Sequence, residues 1–473
     1  MKHVSPLLLI LSLAVAASVG LATEEGTPDP VRNALVGDAL LNNHGYELLR
    51  TLTTRFGPRL AGTEGNTRSM DFLEQELHRF GIETRRETYT IPGWSRLDDR
   101  VTLIQPLEKT LRSAALGYVD QHDPIEAAVA YVASGDLETL DAAVLGGKIA
   151  LVAPNISYNV EEYQRLAEEF GIRGVLLINR VNGGQLLARV ANHDGLTPPV
   201  PIYSITVEEG LWMQRQLDDG MDVRVRIETR SGSTPISVDN LVAVFPGASE
   251  QKVVIGGHFD SWDLGQGAMD NGLGVAQLFD TARLLQTHGP TNAFTVEIVW
   301  FNAEEWGLWG SLDYTNRHDP DSIRVMLNLD MVGEPIAINA MGFDELVPVL
   351  EAFSGSLGSW QFEQKVANKT WLGSDHHPFI LKGIPAITFN APIAPEDVRY
   401  YHDFGDTFDK VDPEMLGRAT ALVALLSYDL ANDTGAALRR YNESETAELF
   451  RKAGLEEKLT KAGKWPFGKD QDW

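Results

Sequence analysis

Val253-Val254-Ile255-Gly256-Gly257-His258-Phe259-Asp260, followed by Gly267-Ala268-Met269-Asp270-Asn271-Gly272, sets the reading of the whole chain. A short apolar run that ends in two glycines reads as a buried strand, and residues 273–285 then carry helical periodicity. Working outward, strands at 294–301, 323–329 and 384–389 alternate with helices at 308–317 and 419–430. Alternation of this kind predicts an α/β fold with a mixed, centrally parallel sheet flanked by helices on both faces. Such sheets carry their ligands at the carboxyl ends of the strands.

Upstream the pattern differs. Residues 69–80 read as an amphipathic helix and 83–91 as a strand, which opens a domain. Short β-type runs at 127–132, 148–152, 174–178 and 223–227, with a helix near 161–170, then form a compact strand-rich unit. Ser231-Gly232-Ser233-Thr234-Pro235 reads as a linker out of it. The expected organisation is a discontinuous α/β domain over 31–110 and 235–440, an insert at 111–230, and a C-terminal extension at 441–473 expected to lie on the surface.

The 473 residues, 43% of them hydrophobic, can bury the cores of two or three such domains. Lys2 and His3, the apolar run 7–19 and the small residues of Gly20-Leu21-Ala22 read as a signal peptide over 1–22, with the mature chain starting near Thr23. The run falls short of the roughly 20 residues a membrane span needs. The protein is therefore expected to be exported, periplasmic or extracellular, with no membrane partner after cleavage. Cysteine is absent, which removes thiol nucleophiles, disulfides and thiolate metal sites together. A formal charge of −26 argues against nucleic acid, whose phosphates need Lys and Arg.

His258 and Asp260 leave the end of the first strand, and Asp270 stands just before the following helix. Each has an ordinary reading, as a hydrogen-bonded strand-end pair and as a helix N-cap. Glu304 and Glu305 follow the strand at 294–301 among Trp300, Phe301 and Trp306, where two carboxylates repel unless a cation compensates. Asp330 ends another buried run, and Tyr401-His402 precede Asp406-Thr407 in a polar loop. Taken together, His, Asp, Glu, Asp and His stand on one edge of a sheet. Two divalent ions about 3.5–4 Å apart need such a set: one bridging carboxylate, further ligands for each ion, and a free carboxylate to take a proton. Ser374-Asp375-His376-His377-Pro378 offers a rival histidine pair, read as scaffold of the cleft because adjacent side chains in an extended chain point apart.

These stretches resemble the M28 family of cocatalytic zinc peptidases, and within it the carboxypeptidase Q subgroup. Gly57-Pro58-Arg59-Leu60 and the strand-rich unit, which is similar to a protease-associated domain, extend the resemblance over most of residues 45–435. The resemblance implies a zinc-dependent exopeptidase fold and two Zn2+ per chain. His258, Asp270 and Asp330 would hold one ion, and Asp270, Glu305 and His402 the other. Glu304 would be the general base, Asp260 would orient His258, and Tyr401 would hydrogen-bond the substrate carbonyl. Asn271 stands where some relatives carry a second Asp. The implied activity is hydrolysis of short unblocked peptides, as a dipeptidase, aminopeptidase or carboxypeptidase, by attack of a metal-bridging hydroxide. By analogy a homodimer is expected. Two other functions occur on related folds: acyl transfer of the glutaminyl-cyclase kind, which uses one zinc, and a non-catalytic receptor role, which dispenses with the ligands.

Overall fold

The computed structural model describes residues 29–289, 292–461 and 463–468. The leader expected at 1–22 lies outside the described residues. Three helices open the described chain: α1 (Pro30–Leu41), α2 (His44–Thr51) and α3 (Glu64–Arg79). Asp29, Asn43 and Thr63 start them by accepting a backbone N–H from the first turn, which satisfies a donor that has no partner within the helix. Strand β1 (Thr84–Ser95) follows.

A separate eight-stranded sheet comes next. It is built from β2 (Arg100–Gln105), β3 (Lys109–Thr110), β4 (Ser113–Ala115), β5 (His122–Val132), β6 (Ile149–Val152), β7 (Gly174–Ile178), β8 (Ile202–Ile205) and β9 (Arg224–Thr229). Helices α4 (Ala142–Leu145), α5 (Val160–Glu168) and α6 (Val207–Asp218) connect them. The order is β3-β2-β9-β5-β6-β7-β8-β4, with β5 to β8 parallel. Strands β6, β7 and β8 are buried at every position, which explains their unbroken apolar sequences.

The chain then returns to the sheet begun by β1. Strands β10 (Gly232–Phe245), β11 (Gly247–His258), β12 (Asn292–Phe301), β13 (Ile323–Asn328), β14 (Ala337–Asn339) and β15 (Ala386–Asn390) complete seven strands in the order β1-β10-β12-β11-β13-β15-β14. The four central strands β12, β11, β13 and β15 are parallel, and the outer pairings are antiparallel. Between and after these strands come α7 (Gly272–His288), α8 (Trp309–Arg317), α9 (Leu346–Ser356), α10 (His376–Leu381), α11 (Pro395–Val398), α12 (Pro413–Asn432), α13 (Glu443–Lys452) and α14 (Glu456–Lys461). Val253 and Ile255 pack with residues of α7 and α12, while Val254 packs with Tyr314 of α8 and Phe379 of α10. Both faces of β11 are covered, as the apolar run predicts. Among the described residues, no helix is long and apolar enough to cross a membrane.

Three expectations are corrected. The insert does not begin at 111, because β2 and β3 already pair within the eight-stranded sheet, so residues 100–110 belong to it and not to the seven-stranded unit. Residues 231–235 are no linker: β10 begins at Gly232 and pairs with β1 from Gly232 opposite Ser95 to Ala243 opposite Thr84. Small polar residues there mimic a loop because this end of the ribbon is partly exposed, and Asp99 holds it by accepting the N–H groups of Arg230 and Ser231. The C-terminal extension is no surface appendage either. Ala447, Leu449, Phe450 and Phe467 are buried within the main core.

Candidate metal centre

The parallel register brings the strand ends together. His258 pairs with Phe301 and Gly256 with Asn328, so His258, the Glu304-Glu305 turn and Asp330 emerge on one edge. Gly257 is required there, since a Cβ would collide with the Leu329 carbonyl oxygen of the neighbouring strand end. Asp270 arrives from the loop before α7, and His402 from the loop after α11.

Two triads result: His258, Asp270 and Asp330, and Asp270, Glu305 and His402. His258 Nε2 lies 3.1 Å from Asp270 Oδ1 and 3.5 Å from Asp330 Oδ1. His402 Nε2 lies 3.0 Å from Asp270 Oδ2 and 3.1 Å from Glu305 Oε2. Asp270 thus gives one oxygen to each triad. Each imidazole has its Nδ1 on a backbone carbonyl, His258 on Asp260 at 3.1 Å and His402 on Ala188 at 2.8 Å. A carbonyl only accepts, so Nδ1 carries the proton and the Nε2 lone pair faces the carboxylates, as a ligand requires. Glu305 Oε1 and His402 Nε2 are buried without a hydrogen-bond partner. Such orphaned donor atoms, all nitrogen or carboxylate oxygen, fit zinc.

The electrostatics agree. Burial alone would lower the His402 imidazole, but Glu305 and Asp270 carry it up to about 10. Burial likewise opposes protonated His258, yet Glu304, Asp260, Asp270 and Asp330 raise it well above its usual range. Burial and then Asp270 push Glu305 up to about 7, against His402. Burial, with Glu305, Asp375 and Asp330, raises Glu304 well above the carboxylate range, although His258 opposes it. Asp270 moves downward, because His258 and His402 outweigh its burial. The cluster gathers protons where it needs positive charge, and a bound cation displaces them.

Several neighbours position these groups. The Asp260 carboxylate accepts the backbone N–H groups of Glu304 at 3.1 Å and Glu305 at 3.3 Å, and stands 3.6 Å from His258 Nδ1. Asp260 therefore faces His258 Nδ1 with both its carbonyl, at 3.1 Å, and its carboxylate, while the carboxylate also fixes the glutamate turn. Asp406 accepts the N–H groups of Met269 and Asp270 at 2.7 and 3.1 Å. Asn271 donates to the carbonyls of Leu329 and His258 and accepts from Gly274 and Met331, lacing two strand ends to α7. Arg59, fully buried, donates to the carbonyls of Phe259, Gln266 and Gly267 and so pins the loop between His258 and Asp270. Reading by residue type misses this work by Arg59 and Asn271; the charged Arg59 between Pro58 and Leu60 was the available sign.

Tyr401 is 37% exposed and stacks on His402 with centroids 3.7 Å apart. Burial of its phenol and the carboxylates Asp270, Glu305, Glu304 and Asp330 push the phenol well above its usual range. Glu304 belongs to neither triad. Neither does the His376-His377 pair: His376 Nε2 is held by the Trp371 carbonyl at 3.0 Å and its Nδ1 faces Asn328 Nδ2 at 3.3 Å. Asp375 is fully buried, and burial lifts it to about 7.

Residues 240–427 match the model of peptidase family M28. Carboxypeptidase Q of Bos taurus is 28% identical over 413 residues, which cover 82% of this chain and 86% of the relative. A peptidase M28 precursor from Shewanella amazonensis superposes with a TM-score of 0.77 at 24% identity, over 87% of this chain and 98% of that one. BSAP, a zinc aminopeptidase from Bacillus subtilis, gives a TM-score of 0.67 at 21% identity, over 84% and 97% of the two chains. The structural likeness speaks for the fold.

Proposed function

We propose that the chain is a metallo-exopeptidase of the M28 kind that uses two zinc ions to cleave short peptides with an unblocked terminus, a reading supported by the family match over residues 240–427 and the likeness to carboxypeptidase Q. The observation that carries this reading is the division of Asp270 between two triads, one oxygen to each. His258 and Asp330 would complete one ion's ligands, and Glu305 and His402 the other's. Bound there, the metals supply an activated water and polarise the scissile carbonyl.

The remaining work falls to this chain's own groups. Glu304, a carboxylate outside both triads, takes a proton from the attacking water and delivers it to the leaving amine as the C–N bond breaks. The Tyr401 hydroxyl donates to the carbonyl oxygen as negative charge develops on it. The unit of residues 100–229 leans over the same edge, with the carbonyl of Ala188 on His402 and that of His193 packed against Gly307. A roof so near the metals leaves room for a chain end and excludes a long polypeptide. Export and a homodimer complete the proposal.

The test is digestion of a mixed library of dipeptides and oligopeptides followed by mass spectrometry, with and without a chelator. Unblocked short peptides should be cut in a chelator-sensitive manner, and the products assign the terminus that is read. Equal cleavage of N-acetylated peptides, or of internal bonds in a folded protein, would sink the proposal.

A further inference from the structure

The two imidazoles of the centre are oriented from different parts of the molecule. His258 is held by Asp260, two residues further along the same strand end. His402 is held by Ala188, which lies between β7 and β8 in the eight-stranded unit. The contact is reciprocal: His402 Nδ1 donates to the Ala188 carbonyl at 2.8 Å, and the Ala188 N–H donates to the His402 carbonyl at 3.0 Å. Beside it the Leu186 N–H donates to the Asp403 carboxylate at 2.7 Å, and the Arg399 guanidinium donates to the Asn182 carbonyl at 2.8 Å. Leu186 and Ala188 are each 1% exposed, so water competes little for their bonds, whereas the Arg399 bond to Asn182 lies at the surface.

The strip is fastened to its own unit. Asn179 Nδ2 donates to the Gln185 carbonyl at 2.9 Å, and the Leu187 N–H reaches Ser204 Oγ at 3.2 Å. His402 in turn needs outside support, because its φ of 56° lies in the left-handed region, which is unfavourable for a residue that carries a side chain.

We propose that the strip 182–188 is the positioning element for His402. The site of Asp270, Glu305 and His402 is then complete only while the eight-stranded unit is docked. The site of His258, Asp270 and Asp330 is assembled by the seven-stranded unit alone. The two metal positions therefore differ in kind: one is intrinsic to the sheet edge, and the other depends on docking between units. This inference rests on the two-metal reading above.

The experiment counts zinc. Metal-stripped full-length wild type, Ala188→Pro and Asp403→Ala are dialysed against buffered free zinc, and bound zinc per chain is measured by elemental analysis. Ala188→Pro removes the N–H that holds the His402 carbonyl; Asp403→Ala removes the acceptor of Leu186 and leaves the strip's own backbone intact. Wild type should bind two zinc ions. Each variant should keep one at wild-type affinity and bind the second about 10–100-fold more weakly, the usual effect of losing the partner behind a ligating histidine. In metal-free protein the histidine nitrogen spectrum should show one imidazole losing its fixed Nδ1–H tautomer. Two ions at wild-type affinity in both variants would overturn the proposal, as would equal weakening of both sites. A wild type that binds fewer than two ions would instead overturn the two-metal reading, before either variant is measured.

Discussion

Glu304 and Glu305 share one turn, yet their surroundings divide them. Asp260 holds both N–H groups, which leaves the Glu305 carboxylate beside His402 and the Glu304 carboxylate outside either triad. Glu304→Gln should therefore keep both zinc ions while kcat falls about 10²–10⁴-fold, the range for a lost proton-transfer group; near-normal turnover at full zinc content would refute the assignment. His402→Ala should cost one zinc per chain and nearly all activity, whereas His377→Ala should leave both, and metal analysis of the two variants decides between the imidazoles. What was legible at this scale was side-chain chemistry at strand ends: His258, Asp270, Glu305, Asp330 and His402 meet, and it was the set, not any one residue, that residue type and element position made visible. Ala188 was not legible, because it acts through its backbone, which has no signature in an amino-acid letter. Arg59 and Asn271 were illegible for a related reason, since most of their partners are carbonyls distant in sequence.

Among the elements, strands buried on both faces were read well, since an unbroken apolar run such as 253–255 has few other uses. The β1 and β10 ribbon is legible only in part: the pattern stops β1 at 91 and makes a linker of the start of β10, because Gly93 and Gly232 to Pro235, which pair at one end of the ribbon, carry turn-type residues. Helix α1 presents a further element-scale question, that of its anchor. Its Asp38 accepts from Arg283 Nη1 at 3.0 Å and faces His288 Nε2 at 2.6 Å, both on α7, and from Asn42 at its own end. Burial opposes ionisation of Asp38, but these partners hold it down to about 2. A depressed carboxylate contributes stability that is present above the ordinary value of 3.8 and lost as pH falls through about 2. Discounted for solvent screening, the contribution is about 1–2 kcal/mol. Asp38→Asn should thus be destabilised by about that amount at pH 7, and the gap to wild type should close between pH 4 and pH 2. Urea unfolding at several pH values measures it, and a gap that widens in acid would show that the sign is wrong.

At the scale of the whole molecule, the chain end closes what the middle builds. Residues beyond α12 were expected on the surface because Lys-rich helical pieces with few apolar residues resemble a solvated appendage. Their apolar residues are few but well placed. Phe450 is fully buried and stacks edge-on with Trp465 and Phe467, at centroid distances of 6.5 and 5.4 Å, and the group joins the core that also holds α9, β14 and α12. The N-cap of α13 is fixed by a reciprocal box between Asn442 and Glu445, which sets the entry of the helix onto that core. Further on, Lys464 reaches Asp194 of the eight-stranded unit at 3.3 Å, so the tail touches both units. That pair is about half exposed, and exposed pairs contribute little. Burial should dominate charge here. Phe450→Ala should cost about 3–5 kcal/mol in urea unfolding, the usual loss for a buried phenylalanine, whereas Lys464→Ala should stay within about 0.5 kcal/mol. Zinc content of folded Phe450→Ala should remain at two, because α13 contributes no residue to either triad. A loss below about 1 kcal/mol for Phe450→Ala would return the tail to the status of an appendage, since a side chain so buried cannot be removed cheaply from a core it helps to fill.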